Sequence, residues 1–349
     1  MKKYIKIGNK KIGQEQPVFA IAELSANHMQ NFAAAVKLVK AAARAGADAI
    51  KAQTYTPETL TCNINNKHFH IKHPVWGGQT LYQLYKTAYT PWKWFKKLKK
   101  IADDLGIIFF STAFDKTAVD LLEEIEVPIH KVASFELVDL PLIEYMARTK
   151  KPLIMSTGMA TIKEIKEAVT TAKKTGAKDI ILLKCVSSYP AKPEEMNLNT
   201  IPHMKKLFNC PIGLSDHTLG IGASVAAAVL GAQVIEKHFT LSRKIKTPDS
   251  FFSIEPQELK ELVDSIRTAK KSLGKVYYGL TVDEQKTCIF RRSLFVVKDI
   301  IKGETFTEEN IRSVRPANGL KPKYLKSILG KRAKKAIKIG TPLKMDFIF

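Results

Sequence analysis

The sequence predicts an α/β protein, a (β/α)8 barrel followed by a small, mostly β C-terminal domain. Two observations carry that expectation. Between residues 17 and 272, eight short apolar runs alternate with amphipathic helical patterns, the rhythm of repeated β/α units. Each run also ends in acids, lysines, hydroxyls or histidines, as barrel strands do on the rim that carries chemistry. A doubly wound open sheet is the alternative, but no GxGxxG turn follows the first run.

The runs come in order. VFAIAEL ends at Leu24 and leads into AAAVKLVKAAARAG, a helical pattern stopped by Gly46. ADAIKAQT ends at Thr54. The connection after it, as far as Trp92, is too long for an ordinary βα loop, which marks it as a lid or binding loop. His68, His70 and His73 lie in it, but with no acidic or Cys partner nearby they do not read as a metal site. PWKWFKKLKKIADDLG precedes the third run, GIIFFST, and TAVDLLEEI follows it. PIHKVAS and PLIMST are the fourth and fifth. Thr161 with Glu164 three residues on is a capping-box signal opening the next helix, which stops at Gly176. DIILLKCVS, CPIGLSD and AQVIEKHFT complete the eight, ending at Ser187, Asp216 and Thr240.

After about residue 275 the pattern changes. The division expected is a barrel over 1–275, a linker over 276–289 and a small domain over 290–349. In the last of these RSLFVVKDI and AKKAIKIGTPL read as strands and Tyr324 to Leu329 as a helix. About 60 residues make a small core, so this domain is expected to pack on its own barrel or on a partner chain.

Composition narrows the class. A hydrophobic fraction of 45% suits a chain with a core. No apolar stretch is long enough to cross a bilayer, and no secretory signal follows the basic N-terminus. Four scattered cysteines without a CxxC fit a reduced, cytoplasmic protein. The formal net charge of +23 suggests a polyanion binder. The lysines are spread along helices, however, and no nucleic-acid-binding signature is present. Steering of phosphorylated or carboxylated substrates is the better reading, with no nucleic acid and no membrane as partner.

The strand ends suggest chemistry. Lys51 and Lys131, with the hydroxyls of Thr112, Ser134, Ser156 and Ser215, form an array suited to a phosphate and a carboxylate. His217 directly follows the seventh run and His238 lies two residues before the end of the eighth, with Glu23 across the rim, and two imidazoles there suit a divalent metal ion. No nucleophile elbow is present.

These residues sit in a specific set of motifs: AELSANH, KAQTYTPETL, STAFD, KVAS, MSTGM, CVSSYPA, GLSDHT and EKHFTL, one at each strand, then TPDSFFSIEP, RRSLFVVKDIIKGE and RPANGL. Over nearly its whole length the chain resembles the sialic acid synthase family, which condenses phosphoenolpyruvate with an amino sugar to make a nonulosonic acid. AELSANH, the WGGQTLYQLY loop with TPW after it, and PDSFFSIEP look most like the pseudaminic acid branch, whose sugar is 2,4-diacetamido-2,4,6-trideoxy-L-altrose. The N-acetylneuraminate and legionaminate branches are the alternatives.

The resemblance implies a TIM barrel with a C-terminal antifreeze-like (SAF, β-clip) domain. It implies that Lys51, Gln53, Thr112, Lys131, Ser134, Ser156 and Ser215 hold phosphoenolpyruvate. It assigns His217 and His238 to a divalent metal ion (Mn2+, Mg2+ or Co2+) and makes Glu23 catalytic beside them. Ser187, Tyr189, Asp249 and Arg315 would meet the sugar. It also implies a domain-swapped homodimer in which the SAF domain of one subunit covers the active site of the other. Two departures bear on the sugar: Ser187 stands where the family has Asn, and Ala317 replaces the glycine of its RPG motif.

Overall fold

The computed structural model describes residues 4–73 and 75–349. Two compact units divide between Gly274 and Lys275. The first opens with a hairpin that the sequence reading did not anticipate, β1 (Tyr4–Ile7) and β2 (Lys10–Gly13), paired antiparallel. Its basic residues hid a period-2 pattern that buries Ile5, Ile7 and Ile12.

Eight parallel strands then close a barrel. They are β3 (Phe19–Glu23), β4 (Ala49–Thr54), β5 (Ile108–Ala113), β6 (His130–Val132), β7 (Leu153–Ser156), β8 (Ile180–Cys185), β9 (Ile212–Asp216) and β10 (Val234–His238). β10 pairs with β3 and closes the ring. Each strand corresponds to one apolar run. Buried on both faces, such strands read as continuous apolar segments, which is why they stand out in the sequence.

The helices cover the barrel. They include α1 (Phe32–Arg44), α2 (Pro57–Leu60), α3 (Leu81–Ala88), α4 (Phe95–Asp104), α5 (Lys116–Glu124), α6 (Leu140–Arg148), α7 (Ile162–Thr175), α8 (Thr200–Phe208), α9 (Gly222–Val229) and α10 (Pro256–Ser272). The Thr161–Glu164 capping box opens α7 as its spacing predicts. Gly176 ends it at φ +122°, a backbone angle that side-chain-bearing residues rarely adopt. The long connection of residues 55–91 is not structureless. Two capping boxes, at Thr56 and Thr80, start α2 and α3 within it.

The second unit has its own core of Leu294, Val296, Phe306, Ile311, Leu343 and neighbours. Its strands are β11 (Ser293–Val296) and β12 (Ile311–Val314), paired antiparallel. Two expectations need correction. The expected strand AKKAIKIGTPL makes only isolated bridges, at Ala333, Ile337 and Pro342, because its paired positions are spread around a small core. Part of the expected linker is the helix α11 (Val282–Thr287), nucleated by a capping box between Thr281 and Glu284. The helix expected at Tyr324 to Leu329 is present as a 3-10 turn running into α12 (Leu325–Ile328).

Candidate active site

Strand register builds the site. Glu23, at the end of β3, lies beside Lys51 on one side and His238 on the other. Lys51 Nζ sits against Glu23 Oε2 and 3.5 Å from Glu236 Oε1, and it donates to Thr112 Oγ1 at 3.1 Å. Ser215 donates to Glu236 at 3.4 Å. On the opposite side Lys131 donates to Ser156 Oγ at 2.7 Å and to the Val132 carbonyl at 2.9 Å. Ser134 Oγ accepts from the Gly158 amide at 3.1 Å. A side chain at Gly158 would collide with Ser134 and Ser187, so the glycine lets this turn approach them.

All of these groups are buried, and burial sets their protonation. It pushes the Glu23 carboxyl up to about 7, against the opposing pull of Lys51. Lys51 is itself held above its ordinary range: burial opposes its charge, but two carboxylates outweigh burial. Lys131 is pulled down by burial, with Glu236 opposing. Two lysines and two carboxyls therefore share one enclosed floor. Glu236 Oε2 has no hydrogen-bond partner there.

The two histidines meet. Their ring centroids are 5.3 Å apart. His217 Nδ1 lies 2.8 Å from the Val186 carbonyl, so this nitrogen carries a proton as donor, and a neutral ring keeps its lone pair on Nε2. Burial and nearby positive groups hold His238 well below its ordinary range, and its Nδ1 is buried without a partner. A neutral buried imidazole with an unused lone pair is a fit donor for a metal ion. Among the described residues, no group of three or more His, Cys, Asp and Glu side chains forms a ligand set. The loop histidines do not converge: His70 bonds Asn65 at 2.6 Å and His73 stacks on Trp76.

Tyr189 covers the pair, 4.4 Å from the His217 ring and 6.1 Å from that of His238. Asp249 is held by Ser25 Oγ, and burial raises its carboxyl. Gln53 donates to that same Ser25 at 3.3 Å, so this residue, implied to bind phosphoenolpyruvate, stands on the Asp249 side of the mouth. Ser25 has a left-handed backbone (φ +45°), which turns its amide onto Glu23 Oε1 at 2.9 Å. Ser187 Oγ lies 4.0 Å from Cys185 Sγ. Arg315 belongs to the second unit, in a shallow pocket with Arg291 and Arg292.

Three groups escaped the residue-level reading. Glu236 has no role in the sequence analysis, although period-2 alternation puts it inward with His238. Glu136 lies in the turn after β6. Burial pushes its carboxyl up to about 7, and Oε2 has no partner. The Cys185 thiol is near 7, because contact with His217 outweighs burial. The sequence carries no signal that singles out Glu136, since its burial appears only in the fold.

Residues 38–278 match the NeuB family and residues 291–348 the SAF domain. A pseudaminic acid synthase from Campylobacter jejuni subsp. jejuni serotype O:2 is 45% identical over 344 residues, covering 98% of this chain and 100% of that protein. One from Helicobacter pylori is 44% identical over 95% of this chain and 98% of that protein. An N,N'-diacetyllegionaminic acid synthase from C. jejuni is 40% identical over 91% and 96%. In structure, an N-acetylneuraminic acid synthetase from Leptospira borgpetersenii, 36% identical, superposes with a TM-score of 0.72 over 81% of this chain and 94% of that one. The Bacillus subtilis spore coat polysaccharide biosynthesis protein, 35% identical, gives 0.68 over 99% of both. The chain belongs to the NeuB family, the sialic acid synthases, with a barrel followed by a SAF domain.

Proposed function

We propose that this chain is a pseudaminic acid synthase, condensing phosphoenolpyruvate with 2,4-diacetamido-2,4,6-trideoxy-L-altrose. The observation that carries the reading is the buried floor of two lysines beside two histidines, in a chain 44–45% identical to pseudaminic acid synthases from two genera. Lys51 and Lys131, with the hydroxyls of Thr112, Ser134, Ser156 and Ser215, hold the phosphate and carboxylate of phosphoenolpyruvate. Tyr189, Ser187 and Asp249 orient the open-chain sugar above them. The C3 carbon of phosphoenolpyruvate attacks the aldehyde carbon, and positive charge develops at C2. Water adds at C2, and Glu23 takes its proton. A carboxyl near 7 is half-ionised at neutral pH and suits that exchange. The C–O bond to phosphate then breaks.

His217 and His238 would hold a divalent cation (Mn2+, Mg2+ or Co2+), whose chemistry when bound is to polarise the aldehyde oxygen. The support is the closeness of the two rings, 5.3 Å between centroids, and the unpartnered Nδ1 of His238. We also infer a homodimer in which the SAF domain of one subunit, through Arg315, reaches the sugar of the other. The support is the family resemblance and the small size of that domain. A chain cut near residue 280 that kept full activity with its sugar would contradict this.

The deciding experiment follows phosphate release from phosphoenolpyruvate across a panel of amino sugars, with and without EDTA. Turnover with the trideoxy diacetamido sugar, abolished by EDTA and restored by Mn2+, is the expected result. Preference for the legionaminate precursor would move the assignment to that branch. Turnover that EDTA leaves untouched would remove the metal.

A further inference from the structure

Trp76 sits in the long connection of residues 55–91, yet it is tied to the far side of the barrel mouth. Its indole Nε1 donates to the Pro248 carbonyl at 2.8 Å, one residue before Asp249. Its ring lies 5.7 Å from Tyr189 and 6.3 Å from Phe251, and His73 stacks on it at 4.3 Å. Tyr189 in turn contacts His217 and His238. A continuous series of ring contacts therefore runs from the loop to the two histidines. The one polar atom of the indole is already committed to Pro248. What the ring presents toward Tyr189 and Phe251 is apolar.

We propose that Trp76, with Phe251, forms the specificity wall of the sugar subsite and selects an aldose carrying a methyl at C6 over one carrying a hydroxymethyl. This rests on the reading of that subsite given above. An aromatic wall takes up a methyl group by burying it. With the indole N–H committed to Pro248, the rings of Trp76 and Phe251 offer a hydroxyl no partner, and the hydroxyl loses its water on entering. Apolar sites discriminate against an added hydroxyl by only about 10- to 100-fold, and that is the size of the preference expected.

The test compares two aldoses differing at one atom, the 2,4-diacetamido-2,4,6-trideoxy sugar and its 6-hydroxy counterpart, each with phosphoenolpyruvate. The wild type should favour the 6-deoxy sugar by about 10- to 100-fold in kcat/KM. Trp76→Ala should lower kcat/KM for the 6-deoxy sugar about tenfold or more, lower it less than about threefold for the 6-hydroxy sugar, and leave KM for phosphoenolpyruvate unchanged. Trp76→Phe keeps an apolar face without the N–H and should keep the preference. A Trp76→Ala enzyme with the wild-type ratio, or with equal losses on both sugars, overturns the proposal. If Trp76→Ala also shifts KM for phosphoenolpyruvate, Trp76→Phe decides, and loss of the preference there overturns it. A wild type inactive on both diacetamido sugars instead sinks the reading of the subsite itself.

Discussion

Two buried lysine–carboxylate pairs lie within a few residues of each other in this barrel, and they differ in how completely they are satisfied. Lys237 and Asp216 face outward from β10 and β9, toward α9. Asp216 Oδ1 accepts from the amide and hydroxyl of Thr218, Oδ2 accepts from Ser224 and from Lys237 at 2.8 Å, and Lys237 also donates to the Thr218 carbonyl. Asp216 is accordingly held below its ordinary range, with those donors outweighing burial. Lys51, Glu23 and Glu236 face inward. They share charge unevenly: Glu23 is raised to about 7, Glu236 is lowered, and a Glu236 oxygen has no partner. The outer pair is closed and holds structure together. The inner set keeps spare capacity for a ligand, at a cost in desolvation that burial alone does not recover.

The sharpest way to break that comparison is Lys51→Met. If Lys51 holds phosphoenolpyruvate as proposed, removing its charge should lower kcat/KM for phosphoenolpyruvate by about a thousandfold or more. Stability should fall little, because Glu23 with a pKa near 7 can take up a proton instead. Activity within tenfold of wild type would show that the inner set is as structural as the outer one. Lys237→Met should do the reverse. It strands Asp216, a buried carboxylate with a depressed pKa, and should cost about 3–5 kcal/mol in denaturant unfolding. Activity per folded molecule should stay within a few-fold. Equal stability losses in the two variants would refute the distinction.

A smaller effect concerns Glu136. Its folded carboxyl titrates near 7, above its unfolded value of about 4.5, so the folded state binds more protons between those pH values. Stability from this group is therefore greatest in acid and declines as pH rises through that window, by up to about 3 kcal/mol. Glu136→Gln should flatten that component and be the more stable protein at pH 8. Parallel pH–stability curves for the two proteins would show that Glu136 is not held protonated.

The barrel was legible because buried parallel strands write themselves as apolar runs, and Glu23, Lys51, Lys131, His217 and His238 were legible because each lies at or near the end of such a run. The hairpin of Tyr4–Gly13 was missed because its lysines masked the alternation, and α11 because its polar helix has no buried residue to set a period. Glu136 was missed because a loop acid is individually unremarkable until its burial is known.

The order of strands, their polar ends and the residue types on one rim were determined by the sequence itself, since local periodicity and covalent spacing specify them. Which of those groups are paired, which keep a free lone pair, and that Trp76 reaches Pro248 across 172 residues were decided only by the tertiary structure. Protonation and spare hydrogen-bonding capacity depend on burial and on partners brought together through space, and neither is a property of any one segment of chain.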